Sequence, residues 1–234
     1  MPVGIITDVL SVLLGGLAGG AAGCFLGAPL RKQLNDVCGF ASVLIAVSLM
    51  VKLEQLPAVV LALLVGAALG SLLRLEERAR LLVRRVGAAC LKGSALGDEG
   101  TGELCAVAVL FCFSGTGLFG ALDEGLTGNS AVLLAKSILD FFTAFVFAAS
   151  LGRLVAAICA PQAVIFFALF GLCGVLQPYT AGRVMGDFSA VGGVITLMAG
   201  LRILGVKKDS APLGALPALV LVFFTSPLWS ALFG

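Results

Sequence analysis

The apolar positions of this chain form long uninterrupted runs, separated by short polar breaks. Runs of about 20 apolar residues match the length of a helix crossing a hydrocarbon core. The pattern predicts about eight such helices, over residues 4–28, 37–53, 56–73, 104–122, 131–152, 161–179, 185–204 and 212–232. The runs do not alternate apolar with polar, which argues against a β-barrel. The prediction is therefore all-α: a polytopic transmembrane helical bundle, with residues 1–234 forming one domain. Between the third and fourth runs, residues 74–102 read as a cytoplasmic amphipathic segment and loop. Over 74–92, Leu75, Leu81, Leu82, Val83 and Val86 are interleaved with arginines, and Glu76 stands four residues before Arg80, a favourable helical pairing. Such a helix lies on anionic lipid. Residues 93–103 are rich in Gly, Ser and acidic residues and read as a loop.

Composition fits this picture. The chain is 60% hydrophobic and 12% charged, with a mean hydropathy of +1.13, against about 25% charged residues in a soluble domain. It has no histidine, so the usual general base near neutral pH and the commonest transition-metal ligand are missing. The 7 cysteines form no CxxC pair and read as small buried hydrophobes, not as a disulfide framework or metal site. Neither a resident metal nor a cofactor is expected, and nothing in the basic segment suggests nucleic acid. No basic region precedes the first run, so a cleavable signal is not expected.

Charge placement predicts orientation. Arg74, Arg78, Arg80, Arg84, Arg85 and Lys92 follow the third run, and Arg31, Lys32, Arg153, Lys207 and Lys208 fall on the same side. The opposite side has Lys52 and Arg183, with Glu54, Asp123 and Glu124. The positive-inside rule puts the basic side in the cytoplasm and both termini outside. Tyr179 and Trp229 then fall at the outer interface. The glycines of the first run (Gly15, Gly16, Gly19, Gly20, Gly23, Gly27) permit close helix approach, within the chain or in a homodimer. Asp8 reads as shallow and interfacial.

The candidate chemistry lies between Cys105 and Ser150. The fourth run is interrupted by Ser114-Gly115-Thr116-Gly117. The fifth carries Lys136 and Asp140 one helical turn apart, with Ser137 and Thr143 near the same face. An ionisable residue in an apolar span costs about 2.5–3.5 kcal/mol on insertion scales, which points to a use for the pair. Asp140 is about 13 Å along its span at about 1.5 Å per residue, near the middle of the core, and the Ser/Gly interruption is at a similar depth. Unwound backbone at that depth must line a cavity or be covered by protein. Its carbonyls, the hydroxyls of Ser114 and Thr116 and the Asp140 carboxylate suit a hard cation such as sodium. A buried carboxylate can equally bind and release a proton. Lys136 can neutralise Asp140 or attract an anionic substrate. Asp187 and Ser189, with Gln177 and Pro178, read as an outer vestibule or as helix caps.

An internal repeat is suggested, in which spans one to three match spans six to eight in inverted orientation. Gly20 matches Gly171, Gly23 matches Gly174, Asp36 matches Asp187, and Leu56-Pro57-Ala58 matches Leu216-Pro217-Ala218. Inverted repeats around a central element are a transporter feature.

These residues also carry a resemblance. Leu110-Phe111-Cys112, Gly117, Gly120-Ala121-Leu122, Glu124-Gly125-Leu126-Thr127-Gly128 and Lys136-Ser137-Ile138-Leu139-Asp140 belong to it. So do Asp187-Phe188-Ser189-Ala190, Gly192-Gly193, Gly200-Leu201-Arg202 and Leu216-Pro217-Ala218, with Val9 to Gly16 at the start. The chain resembles the DUF554 family of bacterial integral membrane proteins, some of which carry a transport-protein label. One departure is Thr116, where members often carry an apolar residue such as Met, so the family implies no coordinating hydroxyl there. The resemblance implies an inner-membrane protein and no particular substrate.

The residues themselves favour an ion-coupled secondary transporter of a small ion or small molecule, with lipid as the other partner, over an enzyme. A narrow ion channel, a structural membrane protein without flux, and an intramembrane aspartyl protease using Asp140 and Asp187 are the alternatives. The last departs from the GxGD pattern at Val184.

Overall fold

The computed structural model describes residues 1–22, 27–78, 81, 104, 107–108, 110–176, 184–206 and 212–233. Most of the 74–102 segment, with Gln177, Pro178, Tyr179, Arg183, Lys207 and Lys208, lies outside the described residues.

The chain folds as an all-α bundle, and no strand occurs among the described residues. The first three helices are α1 (Val3–Ala22), α2 (Ala28–Met50) and α3 (Leu56–Leu72), followed by α4 (Gly115–Thr127) and α5 (Ala131–Leu151). A 3-10 segment, Gly152–Ile158, leads directly into α6 (Cys159–Leu176). Then come α7 (Val184–Ile203), a 3-10 turn at Pro212–Ala215, and α8 (Pro217–Phe233). Among the described residues, five helical stretches are long and apolar enough to cross a membrane, and α3 is a shorter apolar helix. The outward faces carry exposed Leu44, Leu64, Leu72 and Phe224, as lipid-facing surfaces do.

Several boundaries differ from those predicted. Helix α2 starts nine residues before 37, because Pro29 sits in its first turn and a proline there lacks only an amide hydrogen the helix does not need. Its polar first turns, with Lys32 and Asp36, escape a hydropathy reading. Helix α4 runs on to Thr127, so Asp123 and Glu124 are buried helical residues and not part of an exposed turn. The turn is only Gly128-Asn129-Ser130. Gly128 has φ 75° and its N–H closes onto the Glu124 carbonyl, a left-handed cap that favours glycine. Gly152 ends α5 with φ 73°, and the chain continues as 3-10 helix where a loop was expected.

The main pairings are α1 with α5, α2 with α7, α3 with α8 and α4 with α6. Glycines set the first three. A methyl at Gly15 or Gly19 would strike the Phe141 or Phe145 carbonyl of α5, and one at Gly16 would strike Ala156. The stripe therefore serves packing within the chain. Gly39 and Gly200 admit α7 against α2, and Gly66 and Gly70 admit the Gly214–Ala218 stretch against α3. The order of these contacts makes α1 and α5 parallel, and α2/α7 and α3/α8 antiparallel. In lipid such contact relies on dispersion, because apolar burial gains little against hydrocarbon.

The repeat-matched helices α2/α7 and α3/α8 are thus packing partners, and α3 and α8 both begin at a Leu-Pro-Ala sequence. The matched glycines differ in role, however. Gly20 packs on Arg153, whereas Gly171 and Gly174 face open space.

Glu76 accepts from Arg202 of α7 at 2.8 Å; Arg80, its expected partner, lies outside the described residues.

Candidate functional site in the membrane core

The interruption in the fourth run is a true break. Helical residues through Cys112 give way to a turn at Phe113, and Ser114 is extended at φ −68°, ψ 136°. Ser114 then caps α4, its Oγ accepting from the Gly117 N–H at 3.1 Å. This satisfies one of the amide donors that every helix start leaves free.

The break lies against the charged pair. A methyl on Gly117 would meet Lys136 Cε and the Phe166 ring, so glycine there lets the α4 backbone close over the lysine. Lys136 is 2% exposed and Asp140 is 5% exposed. The Lys136 ammonium is bonded to Asp140 Oδ2 within α5. It is also 3.0 Å from Asp8 Oδ2 on α1 and sits 5.5 Å from the Phe166 centroid on α6, within cation–π range.

Asp8 corrects the sequence reading. It is fully buried, not interfacial. The Glu124 carboxylate on α4 explains how a residue so near the helix start is enclosed. It accepts from the Gly4 N–H at 2.7 Å and the Ile5 N–H at 3.0 Å, tucking the first turn of α1 into the bundle. Gln162 of α6, also fully buried, donates from Nε2 to Asp8 Oδ2 at 2.7 Å. The cluster thus draws Asp8, Lys136, Asp140 and Gln162 from three helices, with Ser114 and Gly117 beside it. It contains two carboxyls and one ammonium. Asp8 Oδ1 and Gln162 Oε1 are buried without a hydrogen-bond partner among the described residues.

The other predicted site residues are distributed differently. Ser137 and Thr143 lie on the buried face of α5, but their hydroxyls donate to the Leu133 and Leu139 carbonyls of their own helix. Thr116 turns to α7 and bonds Thr196 Oγ1 at 3.0 Å. Gly115 opens α4. Ser189 donates to the Met185 carbonyl.

Asp187 is fully buried, with partners unlike those of the Lys136 cluster. Its Oδ1 accepts from the Glu54 and Gln55 N–H groups at 3.0 and 2.7 Å, and its Oδ2 from Ser226 Oγ at 2.6 Å. It caps α3 from across the bundle, as Glu124 caps α1. The structure does not bring Asp187 to Asp140, so these two do not form the shared-proton dyad an aspartyl protease needs.

Cys38, Cys112, Cys159 and Cys173 are free thiols, three of them buried. Among the described residues no group of His, Cys, Asp and Glu is arranged to hold a metal ion.

Comparison with known proteins finds relatives along nearly the whole chain. A curated Escherichia coli (strain K12) relative, "Uncharacterized protein YqgA", is 39% identical over 100% of both chains. The Bacillus subtilis (strain 168) "Uncharacterized membrane protein YdfK" is 26% identical over 93% of each. No solved structure matches. The family model described as "Protein of unknown function (DUF554)" matches residues 3–226, and the chain belongs to that family.

Proposed function

We propose that the protein is an ion-coupled secondary transporter of the bacterial inner membrane, with both termini outside. Its coupling and substrate site is the buried cluster beside the α4 break. The observation that carries this reading is the Asp8–Lys136–Asp140 cluster itself: three ionisable groups almost wholly removed from solvent, against a helix start at membrane depth. Burying charge costs several kcal/mol per ion before pairing offsets it, and such residues in spans usually mark ion or substrate pathways. Discontinuous helices placing their ends at a central site are the usual construction of secondary transporters. Enclosure of the cluster supports an occluded conformation.

A purely structural lock is the simplest competing account. It predicts Lys136 and Asp140 bonded only to each other, whereas Lys136 also bonds Asp8, and Asp8 and Gln162 keep unclaimed oxygens.

The test is uptake into vesicles reconstituted with purified protein. Small carboxylates, amino acids and inorganic ions are offered under imposed proton or sodium gradients, below the melting temperature of each variant. Saturable, gradient-dependent uptake that disappears in Asp140→Asn is the expected result. Undiminished coupled uptake in that variant would remove the site assignment. Non-saturating flux without fixed stoichiometry would indicate a channel.

A further inference from the structure

The cluster's charges do not balance. Lys136 offers one positive charge to two carboxyls, all three nearly or wholly buried. A net negative charge held at this depth is costly, so one further positive charge belongs with the cluster. Two atoms indicate where. Asp8 Oδ1 and Gln162 Oε1 are the buried oxygens here that lack a partner, and they belong to side chains already joined by the Gln162 Nε2 to Asp8 Oδ2 bond.

We infer that the coupling ion is a proton carried by Asp8, on Oδ1, with the Gln162 amide as the group that receives it. A neutral carboxylic acid facing a primary amide needs one bond in each direction. The amide N–H donates to the acid carbonyl, which is the bond present. The acid O–H donates to the amide oxygen, which supplies the missing partner of both atoms at once. Protonated at Oδ1, Asp8 still accepts at Oδ2 from Lys136 and Gln162, while Lys136 and Asp140 remain a neutral ion pair.

A sodium ion fits less well. Hard metal cations take about six or more oxygens, and two are unclaimed here. The proton comes from hydronium on one side of the membrane, forms one O–H bond on Asp8, and leaves to water on the other side. The cluster alternates between net charge −1 and zero.

The charged and polar groups around Asp8 are consistent with this role. From α5 they are Lys136, Ser137 and Asp140. From α6 the group is Gln162, and from α4 it is Glu124, one turn nearer the helix start and occupied by the Gly4 and Ile5 amides. Lys136 is the cation among them.

This inference deepens the transport reading, and its test needs no flux, so either can fail alone. The purified protein in detergent is followed by infrared difference spectroscopy through a pH titration, and by thermal melting. The protonated-carboxyl carbonyl band is expected in wild type and lost in Asp8→Asn. Asparagine at position 8 reproduces the neutral acid, accepting at Oδ1 and donating from Nδ2. Asp8→Asn is therefore expected to melt with wild type. Asp140→Asn leaves Asp8 as the anion for Lys136, so Asp8 ionises and its Oδ1–H bond to Gln162 is lost; this variant is expected to melt lower by roughly 2–10 °C. Survival of the band in Asp8→Asn, or Asp8→Asn as the destabilised variant while Asp140→Asn melts with wild type, overturns the assignment. Failure of Asp8→Asn to fold does so too. A sodium-dependent rise in melting temperature that Asp8→Asn abolishes would replace the proton with a metal cation.

Discussion

At the scale of single residues, Lys136 is the pivot of the interior. It joins α5 to α1 through Asp8, lies against the Phe166 ring, and is covered by the α4 backbone at Gly117. Replacement by Met keeps most of the side-chain volume but leaves a buried carboxylate uncompensated. Lys136→Met is expected to lose about 3–5 kcal/mol of stability, read from thermal or denaturant unfolding in detergent. A wild-type unfolding curve would mean that the carboxyls are held by something other than the lysine.

Lys136 and Asp140 are legible in the sequence because charge is scarce within apolar runs. Asp8 was missed because depth was judged by distance from the start of the run. Its spacing held the better signal. Positions 4, 8, 12, 15 and 19 advance by steps of four, four, three and four, so Asp8 lies on the same helical stripe as Gly4, Gly15 and Gly19. That stripe is the face that packs on α5. Gln162 also had a faint signal, as the one amide side chain in the apolar stretch Cys159–Leu176. Which carboxyl it serves depends on packing across helices and could not be read from spacing.

At the scale of elements, two devices hold the helix starts. Carboxylates borrowed from other helices cap α1 and α3, through Glu124 and Asp187. A sequence reading looks for caps beside each helix start, so both were invisible to it. The α4 break was legible, because Ser-Gly-Thr-Gly interrupts a strongly apolar run.

Glycine roles were legible only in part. The α1 stripe packs tightly, whereas Gly171 faces open space. Gly19→Val is expected to abolish a monodisperse, folded peak on size-exclusion chromatography, because its first carbon would meet the Phe145 carbonyl and rigid backbone cannot yield as a side-chain end can. Gly171→Val is expected to behave as wild type, within about 0.5 kcal/mol, as surface changes do. Equal damage from both would contradict the α1/α5 packing.

At the scale of the whole molecule, the pairings have consistent directions. Helices an even number of steps apart run parallel, as α1/α5 do, and α4/α6 likewise, with Gly117 on Phe166 and Gly125 on Cys173. Those an odd number apart, α2/α7 and α3/α8, run antiparallel. This regularity supports alternating crossings, with α4 completed by the helical residues before its break. Hydropathy made the crossings legible, but not the choice of neighbours. The fourth and fifth spans carry the candidate chemistry, but α5 packs chiefly on α1. The proposed orientation is checked by impermeant thiol labelling of intact cells. A cysteine at exposed Asn129 is expected to react from outside, and one at exposed Lys32 only after permeabilisation; the opposite pattern would invert the topology.

The central claim, that the buried cluster couples proton movement to solute movement, is tested most directly by a pH indicator enclosed in reconstituted vesicles while solutes are added outside. Wild-type protein is predicted to move protons in a saturable, solute-dependent way, and Asp8→Asn, folded as well as wild type, to move none. Solute-driven proton movement of equal rate in both proteins would contradict the account.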